Sequence, residues 1–304
     1  MRILITGITG YIGSHLARAL LPSHTVYGLV REPVKDTYIH SFRDSLKLVP
    51  YDGTYQSMEK AIQESRPELV YHLAAYYTGT HGKGHTPQLV QSNITLGVYL
   101  LEALSAYGKV PLVCASSVMG HYHGKEYCPL NLYAATKKAF ADLLAYYTDA
   151  GLLRAITLVL SDTYGPNDSR SKVLNLIQSA IRSGEYLALT SGEQDYDAVY
   201  IDDVVRAFRL AGKRLAAQDG QENEIFQISS LHPLSLRETV EIMLKTNHLD
   251  FQAGWGERAY AEREIFKAIR VYQSLPGWQP EVPLEKGLYC LWHCEETDTF
   301  QMLS

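Results

Sequence analysis

The stretch Thr6-Gly7-Ile8-Thr9-Gly10-Tyr11-Ile12-Gly13 narrows most what this chain can fold into. The residues before it, Arg2 to Thr6, read as a strand, and Tyr11 to Leu20 read as a helix. Three glycines therefore stand where a strand must turn into a helix. Glycine there permits a tight turn and close approach of backbone, and the N–H groups at the helix start suit a pyrophosphate. Gly7, Thr9, Gly10, Tyr11, Ile12 and Gly13 are the candidate dinucleotide contacts.

Strands and helices alternate from this point. Thr25 to Val30 reads as a second strand and ends at Arg31. An acidic side chain at that place would hold the ribose hydroxyls of NAD, whereas arginine accommodates the 2′-phosphate of NADP. Arg31 thus favours NADP(H); NAD(H) stays possible, with Glu32 then the ribose ligand. Leu46 to Val49 is a third strand ending near Asp52, a candidate contact to adenine, and the helix Gln56 to Ser65 stops at Pro67. A buried strand from Leu69 ends in Leu73, Ala74 and Ala75, where backbone is expected to pass close to a cofactor. The loop from Tyr76 to Thr86 is a candidate wall of the substrate pocket, with His81 and His85 read as solvated. The helix Pro87 to Tyr107 carries Asn93.

Val110 to Ala115 is the next strand, with Ser116 and Ser117 at its carboxyl end. Ligands bind at that edge of an open α/β sheet, and a hydroxyl there can steady an oxygen gaining negative charge. In the helix Leu132 to Tyr147, Tyr133 and Lys137 are four residues apart and share a face. A phenol titrates at about 10 on its own, and a neighbouring ammonium favours its ionised form, so the pair is a candidate acid/base. Arg154 to Leu160 is the sixth strand. The class is α/β, a Rossmann-type doubly wound parallel sheet with a smaller, irregular C-terminal part. Residues 1–165, taking back 197–229, are expected to form the dinucleotide-binding domain, and 166–304 mainly the substrate-binding domain. In the latter, Lys172 to Arg182, Asp203 to Ala217 (capped by Asp202) and Ser235 to Thr246 read as helices, and Tyr196 to Ile201 and Glu224 to Ile228 as strands. Trp255 to Ile269 is irregular.

The chain has 304 residues and a net charge of −5, which gives no reason to expect nucleic acid or an anionic membrane as partner. No leader segment and no apolar run long enough to span a bilayer is evident, so a cytoplasmic location is expected. Four cysteines are too few for a disulfide scaffold. Cys290, His293 and Cys294, and likewise His121, His123 and Cys128, lack a second pair at metal-site spacing, and no metal is expected.

Taken together, Thr6 to Gly13, His72-Leu73-Ala74-Ala75, Asn93, Ser116-Ser117, Tyr133 with Lys137, and Tyr164-Gly165-Pro166 resemble the extended short-chain dehydrogenase/reductases over nearly the whole chain. The stretches Asp162 to Asp168, Tyr200 to Val205 and Glu262 to Glu264 look most like the nucleotide-sugar branch. Within it they look like the CDP-paratose and CDP-abequose synthase type of 4-ketoreductase. The resemblance implies Tyr133 as proton donor, Lys137 lowering its pKa and binding the nicotinamide ribose, and Ser116 orienting the substrate oxygen. The segment Ser116-Ser117-Val118-Met119-Gly120 is shorter than the family pattern, which leaves Ser117 as the other candidate. Asn93, Thr163, Lys172, Tyr200 and Arg263 are candidate substrate contacts, Lys172 and Arg263 for the diphosphate. A dehydratase would carry an Asp-Glu pair where Ser117 and Val118 stand. The implied activity is NADPH-dependent reduction of the C4 keto group of a nucleotide-linked 4-keto-6-deoxy or 3,6-dideoxy sugar. The alternatives are an NAD-dependent 4-epimerase and, from another class, a non-catalytic NADP sensor. A homodimer through a four-helix contact is also implied.

Overall fold

The computed structural model of the chain describes residues 1–79, 81–217 and 223–293. In chain order these begin β1 (Arg2–Thr6), α1 (Tyr11–Leu20), β2 (Thr25–Val30), β3 (Lys47–Pro50), α2 (Tyr55–Ser65), β4 (Leu69–His72) and α3 (His85–Val90). A π-helical segment, Gln91–Thr95, leads into α4 (Leu96–Gly108), then β5 (Leu112–Ser117), α5 (Leu132–Asp149), β6 (Ala155–Leu160) and β7 (Asp162–Tyr164). The chain continues with α6 (Val173–Ser183), β8 (Ala188–Leu189), β9 (Asp195–Tyr196), β10 (Ala198–Tyr200), α7 (Ile201–Ala217) and β11 (Asn223–Ile228). It closes with β12 (Leu234–Ser235), α8 (Leu236–Thr246), β13 (Gly254–Trp255) and α9 (Leu284–His293).

Two compact units share these elements. The first comprises 1–160, 205–228 and 270–278, and the second 161–204, 229–269 and 279–304. The first unit thus ends its opening run at Leu160, the last residue of β6, and not at 165. It takes back 205–228 rather than 197–229, because β10 and the first turn of α7 belong to the second unit. It also gains 270–278, held where Gln227 accepts from the Val271 N–H at 3.0 Å and its own N–H reaches the Gln273 carbonyl at 2.8 Å.

The first unit is built on a seven-stranded parallel sheet in the order β3-β2-β1-β4-β5-β6-β11. Every side chain of β4 and β6 is buried, as central parallel strands covered on both faces require. Helices α2, α4 and α5 cover one face through a core that includes Leu4, Met58, Ile62, Leu100, Leu104, Phe140 and Leu144. On this face α4 and α5 come close because Gly97 leaves room for the Phe140 ring, which a β-carbon there would strike.

Strand order reverses between β1 and β4, and in such sheets that is where a ligand is received. Gly7 follows β1 with a φ of +74°, a conformation that favours glycine. A β-carbon on Gly7 would lie 2.6 Å from the Ala74 nitrogen, and one on Gly13 would overlap the Gly7 carbonyl oxygen. The turn therefore excludes any side chain at both positions.

The second unit is made of short pairs: β7 with β10, β8 with β13 in parallel, and β9 antiparallel to β12. Helix α7 starts at Ile201, so Asp202 lies inside its first turn and does not cap it; β10 passes directly into the helix. Asp203 beside it accepts from the N–H groups of Glu281 and Val282, each at 3.0 Å. Helix α8 opens on Ser235 with a reciprocal capping box to Glu238.

Replacing Gly13 with alanine is expected to cost about 1–3 kcal/mol, the usual range for overpacking, read as a lower urea midpoint with an unchanged slope.

Candidate active site

Helix α5 presents the site. Its first turn is fixed by Asn131, whose Oδ1 accepts from the Ala134 N–H at 2.9 Å. Tyr133 follows, half-buried, and Lys137 stands one turn further along, only 5% exposed. Burial pulls the Lys137 ammonium down to about 8, against the opposing pull of the Cys114 thiol on β5. Near Lys137 are also His72 at the end of β4 and the Phe140 ring, 5.9 Å from Nζ. Burial drives His72 to about 3, so its ring is neutral, and it is hydrogen-bonded to the Thr6 hydroxyl at 2.8 Å. The Ala74 N–H also reaches that hydroxyl, at 3.2 Å. Thr6 thereby ties the end of β1 to the end of β4 beneath the glycine turn.

Ser116 and Ser117 end β5, in register with Val159 and Leu160 of β6. Successive residues of a strand face opposite ways, so the two hydroxyls point differently. Ser117 Oγ accepts from the Met119 N–H at 3.3 Å, capping the 3₁₀ turn Val118–Gly120, and keeps its own proton to donate.

The cofactor candidates divide by their surroundings. Helix α1 opens on Gly10, which has no side chain to cap the first-turn N–H groups, and the cradle of Gly7 and Gly13 is one that β-carbons would fill. Thr9 and Ile12 flank this turn half-buried, and Tyr11 is buried. These features fit a dinucleotide pyrophosphate. Leu73 and Ala74 lie against Gly7, with Ala75 exposed beyond them. Arg31 is exposed at the carboxyl end of β2. Asp52 is exposed after β3, and its carboxylate is lowered to about 2 by the Thr54 hydroxyl and by Ser57 at the start of α2.

Asn93, a candidate substrate contact, joins the loop after β4 to α5. It is 2% exposed, accepts from the Tyr76 N–H at 2.7 Å and donates to the Tyr76 carbonyl at 3.0 Å and to Thr136 Oγ1 at 2.9 Å. The π-helical turn that carries it aims it at the loop after β4 and at α5. That loop brings in a residue sequence reading had not singled out. Tyr77 meets Tyr133 edge to face, ring centroids 4.9 Å apart at 86°. The only sequence signal for it was the position of the loop itself. His85 opens α3, and its Nδ1 accepts from the Gly82 N–H at 3.2 Å.

The other candidates lie in the second unit. Thr163 and Tyr200 are buried on the neighbouring strands β7 and β10. Tyr200 helps line a cavity of about 310 Å³ with Tyr164, Tyr196, Asp203 and His232. Lys172, just before α6, is paired with Asp162. Burial pushes the Asp162 carboxyl up, and Lys172 and Arg170 more than reverse this, leaving it below the usual range. Arg263 is exposed in the irregular stretch before Phe266. Among the described residues no group of three or more His, Cys, Asp or Glu is arranged to hold a metal; Cys294 lies outside them. No described helix is long and apolar enough to cross a membrane.

Residues 3–229 match the NAD dependent epimerase/dehydratase family. The chain belongs to that family. It is an NAD(P)-dependent enzyme of the oxidoreductase type, within the extended short-chain dehydrogenase/reductases. It is 30% identical to the CDP-abequose synthase of Yersinia pseudotuberculosis, over 90% of this chain and 94% of that protein. It is 27% identical to a UDP-glucuronate 4-epimerase of Thermodesulfobacterium geofontis, over 94% and 93% of the two chains. In fold it is similar to the UDP-glucuronic acid 4-epimerase of Bacillus cereus, solved with UDP-glucuronic acid and NAD. That similarity has a TM-score of 0.83, at 22% identity over 100% of both chains.

Lys137 gives a pH test. Its folded pKa of about 8 lies below its ordinary 10.5, so below pH 8 the protonated side chain opposes folding in full. The shift corresponds to about 3 kcal/mol. Between about 8 and 10.5 the unfolded chain holds more protons, and stability rises with pH. Lys137→Met should therefore be more stable than the parent in urea at pH 7, and the gap should roughly halve by pH 9.5.

Proposed function

We propose that this enzyme reduces the C4 keto group of a nucleotide-linked 4-keto-6-deoxy or 3,6-dideoxy sugar with NADPH. The observation that carries the reading is the buried Lys137 one helical turn from Tyr133, on the helix beside the strand-end serines. When bound, the nicotinamide supplies the hydride. Tyr133 donates its proton to the C4 oxygen as the carbonyl becomes an alcohol, and afterwards regains a proton from solvent. Lys137, poorly solvated and so strongly coupled to nearby charge, favours the phenolate that this transfer leaves. Ser116 or Ser117 holds the same oxygen by hydrogen bond; the Met119 N–H holds Ser117 in place for such a role. Arg31 takes the 2′-phosphate, Asp52 the adenine, and the turn from Gly7 to Gly13 the pyrophosphate. Thr163, Tyr200, Lys172 and Arg263 serve the substrate, with Lys172 exchanging its Asp162 partner for a diphosphate oxygen.

The similarity to CDP-abequose synthases supports a deoxysugar on a CDP carrier. A second reading, an NAD-dependent 4-epimerase, is favoured by the epimerases among the similar proteins and by the NAD in their structures. It requires retained cofactor and no net consumption.

Mixing the protein with NADPH and a CDP- or dTDP-linked 4-keto-6-deoxy sugar should bleach the reduced-nicotinamide absorbance. Tyr133→Phe should lower kcat by about 100-fold or more, as loss of a general acid does. Arg31→Ala should weaken NADPH about 10-fold and leave NADH unchanged. Absence of NADPH oxidation with every such sugar would remove the reductase reading, and cofactor that co-purifies as NAD would replace it with the epimerase.

We also propose a homodimer through α4 and α5, on which Tyr107 and Tyr146 are exposed. Light scattering should give twice the chain mass, and Tyr146→Glu should shift the equilibrium toward monomer.

A further inference from the structure

Tyr77 is the least expected aromatic of the first unit. It is 51% exposed, yet its loop is fastened on both sides of it. Asn93 bonds both backbone groups of Tyr76, at 2.7 and 3.0 Å, and Asn131 Nδ2 donates to the Gly79 carbonyl at 3.3 Å. Only Tyr77 and Thr78 lie between these anchors. The anchors are themselves parts of the tyrosine's own framework. Asn131 caps helix α5, and Thr136 both receives the Asn93 amide and donates to the Tyr133 carbonyl at 2.7 Å. Tyr77 and Tyr133 therefore keep a fixed geometry, with ring centroids 4.9 Å apart and planes at 86°.

The Tyr77 ring is thus held half in water, edge to face with the phenol proposed as general acid. A general acid must come within about 3 Å of the oxygen it protonates. With the two ring centroids 4.9 Å apart, a hexose ring whose C4 oxygen meets Tyr133 comes within reach of the Tyr77 ring. Aromatic rings suit C–H surfaces, and they leave a hydroxyl pressed against them without a partner.

We propose that Tyr77 is a specificity-determining residue, a wall beside Tyr133 that receives a deoxygenated, C–H-rich edge of the sugar. The assignment rests on the reading of Tyr133 as the group that meets a sugar oxygen. It adds to that reading a reason for this chain to prefer a sugar lacking a hydroxyl over its fully hydroxylated counterpart. Exclusion of a hydroxyl by an apolar wall is worth at most about 100-fold, so the preference is graded rather than absolute.

Calorimetry on the full chain separates the assignment from the turnover reading. Wild type, Tyr77→Phe and Tyr77→Ala are titrated with a CDP-linked 6-deoxyhexose, with its 6-hydroxy counterpart and with CDP alone, and NADPH affinity is followed by fluorescence. Tyr77→Ala should bind the 6-deoxy ligand about 10-fold more weakly and should bind CDP and NADPH as the wild type does. The difference between deoxy and hydroxy ligands should shrink in Tyr77→Ala and persist in Tyr77→Phe, which keeps the ring. Equal affinities of wild type and Tyr77→Ala for the 6-deoxy ligand would overturn the assignment, as would a loss that falls on NADPH instead. A wild type that binds the sugar ligand but never oxidises NADPH would end the reductase reading and leave the Tyr77 comparison standing. Failure of wild type to bind any sugar-linked nucleotide would overturn both.

Discussion

The desolvation of one ammonium group sets the demands that the rest of the first unit meets. Lys137 is nearly closed to water, and such a group opposes folding unless the surrounding scaffold is strong enough to hold it there. The scaffold is the parallel sheet, with His72 at the end of β4, Cys114 in register with it on β5, and Phe140 one turn along α5. The Cys114 thiol relieves the charge only in part, since burial raises that thiol to about 12, and burial keeps the His72 ring neutral. A cation so poorly solvated is poised to respond strongly to any negative charge brought beside it.

Close contact between backbones gives the sheet its opening at the right place. Gly7 lies directly on the end of β4, and Thr6 binds both His72 and the Ala74 N–H. The two strands whose order reverses are thus joined at their carboxyl ends without side-chain bulk. In the second unit, order comes by other means: short strand pairs, the capping box at Ser235, and Asp203 gripping the backbone of Glu281 and Val282. The ion pair of Lys172 with Asp162 belongs to the same style of construction.

Much of the first unit was legible because its signals are local. The glycine turn, the buried runs of β4 and β6, and the placement of Tyr133 and Lys137 one turn apart on α5 each follow from residues near one another. What was not legible depended on distant partners. The segment 87–107 reads as one helix, yet it contains a π-helical turn whose Asn93 binds Tyr76, 17 residues away. The return of 270–278 to the first unit rests on the amide of Gln227 and has no pattern of its own. Helix α9 was missed although Leu284, Leu288 and Leu291 stand at helical spacing, because the run is short and enters through prolines. Tyr77 was visible only as one letter in a loop, and its meaning comes from the ring it touches.

The π-helical turn at Gln91–Thr95 has a consequence for how this region tolerates change in length. An α-helix advances by about 100° per residue, and a single wide turn accommodates one residue more than regular pitch would. Residues on either side keep their own phases: Leu89 toward the interior before it, and Leu100 and Leu104 after it. Removing one residue here would return the turn to regular pitch and leave both faces on their packing surfaces. The irregular turn thus works as a phase correction, the one place along this helical stretch where a residue can be absorbed without turning either face away from its packing surface.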